Sequence, residues 1–180
     1  MPFLKSYAPD AGVREVFDTV ADLFEGWSET GERLYRGPSA FSPGERELIV
    51  SYVSALNACQ YCFGSHSIIA QAWGIDGAVL DSIMEDIGAA DVPAALKPVL
   101  HFVRKLTLEP AKMTQADAYA VIAAGWDERA YHEMVVLCCR MNFMNRLSEG
   151  FGLAPPDPNM MEDAAAQLVA RHSVRGAGAS

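Results

Sequence analysis

Four side chains in the first half of the chain, Glu47, Cys59, Cys62 and His66, have the types and spacing of a thiol redox centre. On one helix at about 100° per residue, Cys59, Cys62 and His66 fall at relative angles of about 0°, −60° and −20°, so two thiols and an imidazole share a stripe. Cysteines three apart near a helix N-terminus can close a small disulfide, and the partial positive charge there favours thiolate over thiol. By that rule Cys59, nearer the terminus, is the more acidic thiol. His66, one turn beyond Cys62, is the obvious proton acceptor. The same residues invite two plainer uses: packing as small buried hydrophobes, or zinc ligation, although zinc needs a fourth ligand and knuckle or loop geometry rather than one helical stripe.

Asn57 marks a turn ahead of the stripe. If the chain folds back there, Glu47 sits ten residues before the turn and His66 nine after it, both roughly 14–15 Å from the hinge. Glu47 faces Val50, Ser51 and Ser54, residues modest enough for a second helix to approach closely. A partly buried carboxylate needs a partner, and His66 supplies one. Glu45, about 200° around the helix, points elsewhere. The resulting relay runs from Glu47 to His66 to a thiol, the orienter, base and nucleophile of covalent catalysis.

The elements that must hold this set are helices. Residues 45–56 have helical length and lack strict alternation, and residues 59–72 form a second helix stopping at Gly74, so the two make a central antiparallel pair. Upstream, Val13, Val16, Phe17, Val20 and Phe24 follow helical spacing after the cap Asp10, and a shorter piece spans residues 29–35. Downstream, Asp76 caps a helix reaching residue 87. Further helices cover residues 94–108, 114–125 and 128–151, and a last one, residues 160–170, follows the Pro-rich APPDP. No strand, repeat or long linker is evident. The expected class is all-α: one helical domain over residues 1–172 with its core at 40–155, the terminal helices packing on that core or on a partner subunit, and a flexible tail at 173–180.

Composition narrows the function classes. With 14 Lys+Arg against 23 Asp+Glu the net charge is −9, which argues against nucleic-acid binding and against docking on anionic membranes. A mean hydropathy of +0.07 is apolar for a soluble monomer of this size and points to a homo-oligomer. No apolar stretch approaches the roughly 20 residues that span a bilayer, and the first residues carry no secretory pattern, so a cytoplasmic location is expected. There, cysteines are catalytic, metal-bound or buried more often than disulfide-bonded.

The run from Glu47 through Cys59-x-x-Cys62-x-x-x-His66 resembles the alkyl hydroperoxidase D (AhpD)-like branch of the carboxymuconolactone decarboxylase superfamily, particularly its single-domain peroxidase-related members. Leu106-Thr107-x-x-Pro110, Thr114-x-x-Asp117, Ala124-Gly125-Trp126 and Phe143-Met144-Asn145-Arg146-Leu147 extend the likeness, which covers about residues 40–155. The resemblance implies an all-helical AhpD-like fold, compact oligomers, and reduction of hydrogen peroxide or organic hydroperoxides through a Cys59–Cys62 dithiol–disulfide cycle. It assigns attack on the peroxide to Cys62, against the helix-terminus rule, and resolution to Cys59. His66 and Glu47 match the proton-relay positions. It implies no metal, haem or flavin, but a dithiol reductant, lipoyl-type or thioredoxin-like. The chain departs from the pattern at Tyr61, where those proteins carry histidine, so reactivity and reductant need not match theirs.

Two rival functions fit the same scaffold: lactone decarboxylation, as the superfamily name suggests, with dispensable cysteines, and a non-enzymatic redox-responsive interaction protein whose disulfide forms slowly. Elsewhere, Cys138-Cys139 reads as core packing, His101, one turn from Arg104-Lys105 on an apolar helix, as a satisfied or partly exposed histidine, and His132 and His172 show no partner pattern. Asn142, Asn145 and Arg146, polar residues on an apolar helix, read as a buried hydrogen-bond network or as substrate contacts. Met134, Met141 and Met144 read as core or subunit interface.

Overall fold

A computed structural model describes residues 1–177, with side chains through His172. Among the described residues the secondary structure is helical, without strands: α1 (Val13–Thr19), α2 (Trp27–Arg36), α3 (Pro43–Leu56), α4 (Gln60–Ala72), α5 (Gly77–Glu85), α6 (Leu96–Leu108), α7 (Gln115–Ala123), α8 (Glu128–Phe151) and α9 (Pro158–Ala177), with short 3-10 turns at Ala21–Phe24 and Pro110–Lys112. The expected all-α class holds. No described helix is long and apolar enough to cross a membrane.

Helix α3 is the axis of the fold. Its start is fixed reciprocally: Glu45 N–H donates to Ser42 Oγ at 3.2 Å, and Ser42 N–H to Glu45 Oε2 at 2.7 Å, with Pro43 in the first turn. Every residue from Arg46 to Ser54 is buried, because α4, α6 and α8 all pack on this helix. A helix buried all round has little amphipathic pattern.

The turn between α3 and α4 sets the register of the site. Cys59 N–H donates to Ser54 O and Ala58 N–H to Ala55 O, each at 3.0 Å, the two bonds that close a helix end around a left-handed residue. That residue is Ala58, with φ +53°, where an L side chain costs about 1–2 kcal/mol. The chain then runs back. Glu47 meets His66, and a Cβ on Gly44 would lie 3.3 Å from Trp73 Cβ, a step farther from the turn on both helices, as in an antiparallel pair. Asn57 ends α3, and Cys59 occupies the cap position of α4.

Other boundaries moved for local reasons. The first apolar run breaks at Val20 (φ −131°, ψ 50°) and continues as a 3-10 turn instead of one helix. Helix α9 begins at Pro158 rather than residue 160, because proline suits the first helical turn and Asp157 Oδ1 accepts from Asn159 N–H and Met160 N–H. Its backbone stays helical to Ala177, past the point where the tail was expected from Ser173; residues 178–180 of that expected tail lie outside the described residues.

Candidate active site

Glu47 is enclosed between α2 and α4, its side chain 1% exposed, and both carboxylate oxygens are used. Oε2 pairs with His66 Nδ1 at 2.7 Å, and Oε1 accepts from Arg36 Nη2. Burial pushes this carboxyl's pKa up, but the charge and hydrogen bond of His66, joined by those of Arg36, outweigh it and leave the pKa lowered. For His66 burial favours the neutral ring, yet Glu47 prevails and raises its pKa. Each partner thus favours the charged form of the other, and Nε2 is the imidazole nitrogen left for the neighbouring cavity. The Tyr35 ring stacks on His66 at 5.7 Å between centroids and 28° between planes.

Cys59 and Cys62 are both buried and unbridged. Cys62 has its pKa lowered to about 6, first by the hydrogen bond from the Cys59 thiol, which overcomes burial, and then by Ser148, Asn145 and the charge of His66. Its Sγ lies 3.5 Å from Ser148 Oγ. Cys59 shifts the opposite way because it donates that bond and is itself buried, so it keeps its proton. The helix-terminus rule fails here for a local reason: Cys59 sits at the cap position outside α4, whereas Cys62, one turn in, collects donors from α8.

Behind the thiols, Asn145 Nδ2 donates to Ser54 Oγ at 3.1 Å, and Asn57 Nδ2 lies within 3.1 Å of three acceptors, Val53 O, Asn142 Oδ1 and Asn145 Oδ1. Asn142 and Asn145 thus belong to a hydrogen-bond network, while Arg146 turns outward onto Asn142. Tyr61 points away from this layer. Its hydroxyl accepts from Val13 N–H at 3.0 Å, tying α4 to the first turn of α1.

Cys62, His66, Tyr61 and Tyr35 line a cavity of about 260 Å³, which α1, α2 and α8 complete with Val13, Phe17, Trp27, Arg140, Met141 and Met144. Sequence reasoning missed Arg36, Tyr35, Arg140 and Ser148. Only Ser148 carried a signal, lying one turn after Asn145 on the same helix face. Among the other cysteines, Cys138 is buried against Thr107 and Cys139 is exposed. His101 and His132 are exposed, and His172 meets Trp73 edge-on at 5.2 Å. Among the described residues no three His, Cys, Asp or Glu side chains converge as a metal site.

The model of the carboxymuconolactone decarboxylase family matches residues 21–102, a span holding Glu47, both thiols and His66. The uncharacterized protein YdfG of Bacillus subtilis is 27% identical over 66% of this chain and 80% of its own length. Among solved structures, an AhpD-core, uncharacterized peroxidase-related protein from Ralstonia eutropha JMP134 superposes with a TM-score of 0.73 at 22% identity, covering 84% of this chain and 78% of that one. A peroxidase-related protein from Silicibacter sp. TM1040 gives 0.69 at 23%, covering 75% and 71%. The fold is that of the AhpD core. Residues 21–102 are similar to the carboxymuconolactone decarboxylase family, and the likeness to the two solved structures is one of fold.

Proposed function

We propose that the protein is a thiol-dependent peroxidase that cycles Cys59 and Cys62 between dithiol and disulfide. The observation that carries this is a thiolate-favouring Cys62 on the wall of a cavity, with an ion-paired His66 on the same wall. Cys62 thiolate attacks the terminal peroxide oxygen and the O–O bond breaks. His66 gives its proton to the departing alkoxide, or to hydroxide when the substrate is hydrogen peroxide, with Glu47 holding the ring in place. Cys62 is then a sulfenic acid. The Cys59 thiol displaces its oxygen, leaving as water, and forms the disulfide. A dithiol, lipoyl-type or thioredoxin-like, returns two electrons and two protons. Exposed apolar side chains on α7 and α8, Tyr119, Ile122, Val136 and Phe143, fit self-association.

The experiment is time-resolved mass spectrometry of the fully reduced protein after roughly stoichiometric hydrogen peroxide or an organic hydroperoxide. Loss of two hydrogens from the Cys59–Cys62 peptide within seconds is expected, with a sulfenic acid trapped in Cys59→Ser. Thiols that stay reduced for many minutes would falsify the peroxidase. Lactone decarboxylation has the family match in its favour; there a Cys59→Ser/Cys62→Ser double variant keeps activity, whereas the peroxidase loses it.

A further inference from the structure

The cavity beside Cys62 contains a guanidinium that the thiol chemistry does not use. Arg140 lies with its guanidinium carbon 4.0 Å from the centre of the Trp27 ring, and Nη2 donates to Trp27 O at 2.9 Å. It also hydrogen-bonds Tyr35. Space for it is provided by Gly31 on α2, where a Cβ would stand 2.6 Å from Nη2. A carbonyl, a phenol and a ring face leave its charge intact. None of the ion pairs among the described residues includes Arg140. In a chain of net charge −9, a half-buried cation on a cavity wall without a carboxylate partner is an open anion-recognition group. The neighbouring walls, including Phe17, Ile69, Met141 and Met144, are apolar.

We propose, building on the peroxidase reading, that the substrate class is organic hydroperoxides bearing a carboxylate: Arg140 binds the carboxylate, the apolar walls take the carbon chain, and Cys62 meets the peroxide. Hydrogen peroxide has neither the chain nor the charge to use these walls. Cys62 meets α8 at Ser148 and Arg140 leaves the same helix eight residues earlier, so thiol and guanidinium stand at different points of the one cavity, and a medium-chain acid is the probe.

The test measures the second-order rate of Cys59–Cys62 disulfide formation in the reduced full-length protein with 8-hydroperoxyoctanoate and with its methyl ester. The acid is expected to react about tenfold faster than the ester or more. Arg140→Gln brings the ratio toward one, and Arg140→Lys holds it between. Equal acid and ester rates in the unaltered protein overturn the proposal and leave the peroxidase standing. If no peroxide, hydrogen peroxide included, oxidises the thiols, the peroxidase falls instead, and the carboxylate site is decided by calorimetry with octanoate. Binding of octanoate but not of methyl octanoate supports it, and absence of octanoate binding overturns it. Both comparisons use the unaltered protein, so they stand even if Arg140→Gln does not fold.

Discussion

Cys62 on α4 and Cys138 on α8 are both buried thiols next to a second cysteine, yet their acidities diverge, to about 6 for Cys62 and about 11 for Cys138. Burial raises both. What separates them is the set of groups that face the sulfur. Cys138 has Thr107 Oγ1 at 3.4 Å and the Asn142 amide at 3.5 Å, with the Val103 carbonyl oxygen as the acceptor for its own proton. That surrounds a neutral thiol well. Cys62 instead receives a bond from Cys59, with Ser148, Asn145 and an imidazolium completing its surroundings. Reactivity therefore follows donors and charge brought from α4, α8 and the turn before α4, not the presence of two neighbouring cysteines.

The widest break between the two thiols should come from removing each. Cys62→Ser is expected to cut peroxide turnover by on the order of 10³-fold or more, while Cys138→Ala leaves turnover unchanged and lowers stability by about 1 kcal/mol; steady-state assays and urea melts read the two. Loss of turnover in Cys138→Ala would erase the distinction.

Next comes the relay that Cys138 lacks. Glu47→Gln should reduce turnover by about 10²-fold and destabilise the fold by about 3–5 kcal/mol, since it leaves Arg36 and His66 without their buried counter-charge. The lowered Glu47 pKa also fixes a sign: its stabilising contribution is complete above the unfolded carboxylate range and fades as pH falls through the folded value. His66, with a raised pKa, does the reverse, contributing fully below its unfolded value and losing that contribution as pH rises through the folded one. Denaturation across pH should show both limbs in the native protein and neither in Glu47→Gln.

The acidities can be compared directly. Alkylation of Cys62 by iodoacetamide should rise with pH through about 6 and level off, because the thiolate is the reacting form, whereas Cys138 should stay inert until far higher pH. Ser148→Ala moves the Cys62 midpoint upward. A midpoint near the ordinary thiol value in the native protein would place both cysteines in one class. The smallest effect is expected at the turn: Ala58→Gly relieves the left-handed strain and should raise Tm by about 2–4 °C.

Much of the site was legible because helical arithmetic is strong over short separations. The equal heights of Glu47 and His66 followed from one turn at Asn57, and the shared stripe of Cys62 and His66 from a period. Arg36 was not legible, since its approach depends on how α2 is folded back by Gly37-Pro38, where Arg46 Nη1 donates to Leu34 O and Gly37 O. The acidity order of the thiols was misjudged from the helix terminus alone because Ser148 and Asn145 reach Cys62 from more than eighty residues away in sequence. Helix identity survived such ignorance; the identity of a thiol's partners did not.

Asn57 shows what this supporting layer is like to perturb. An amide nitrogen has two hydrogens, and three oxygens on α3 and α8 stand within reach of the one on Asn57. No single arrangement serves all three, so one acceptor is always surplus. The layer under the thiols is consequently a timeshare and not a lock, and a change of charge at Cys62 can be answered by reallocating hydrogens while both helices keep their places.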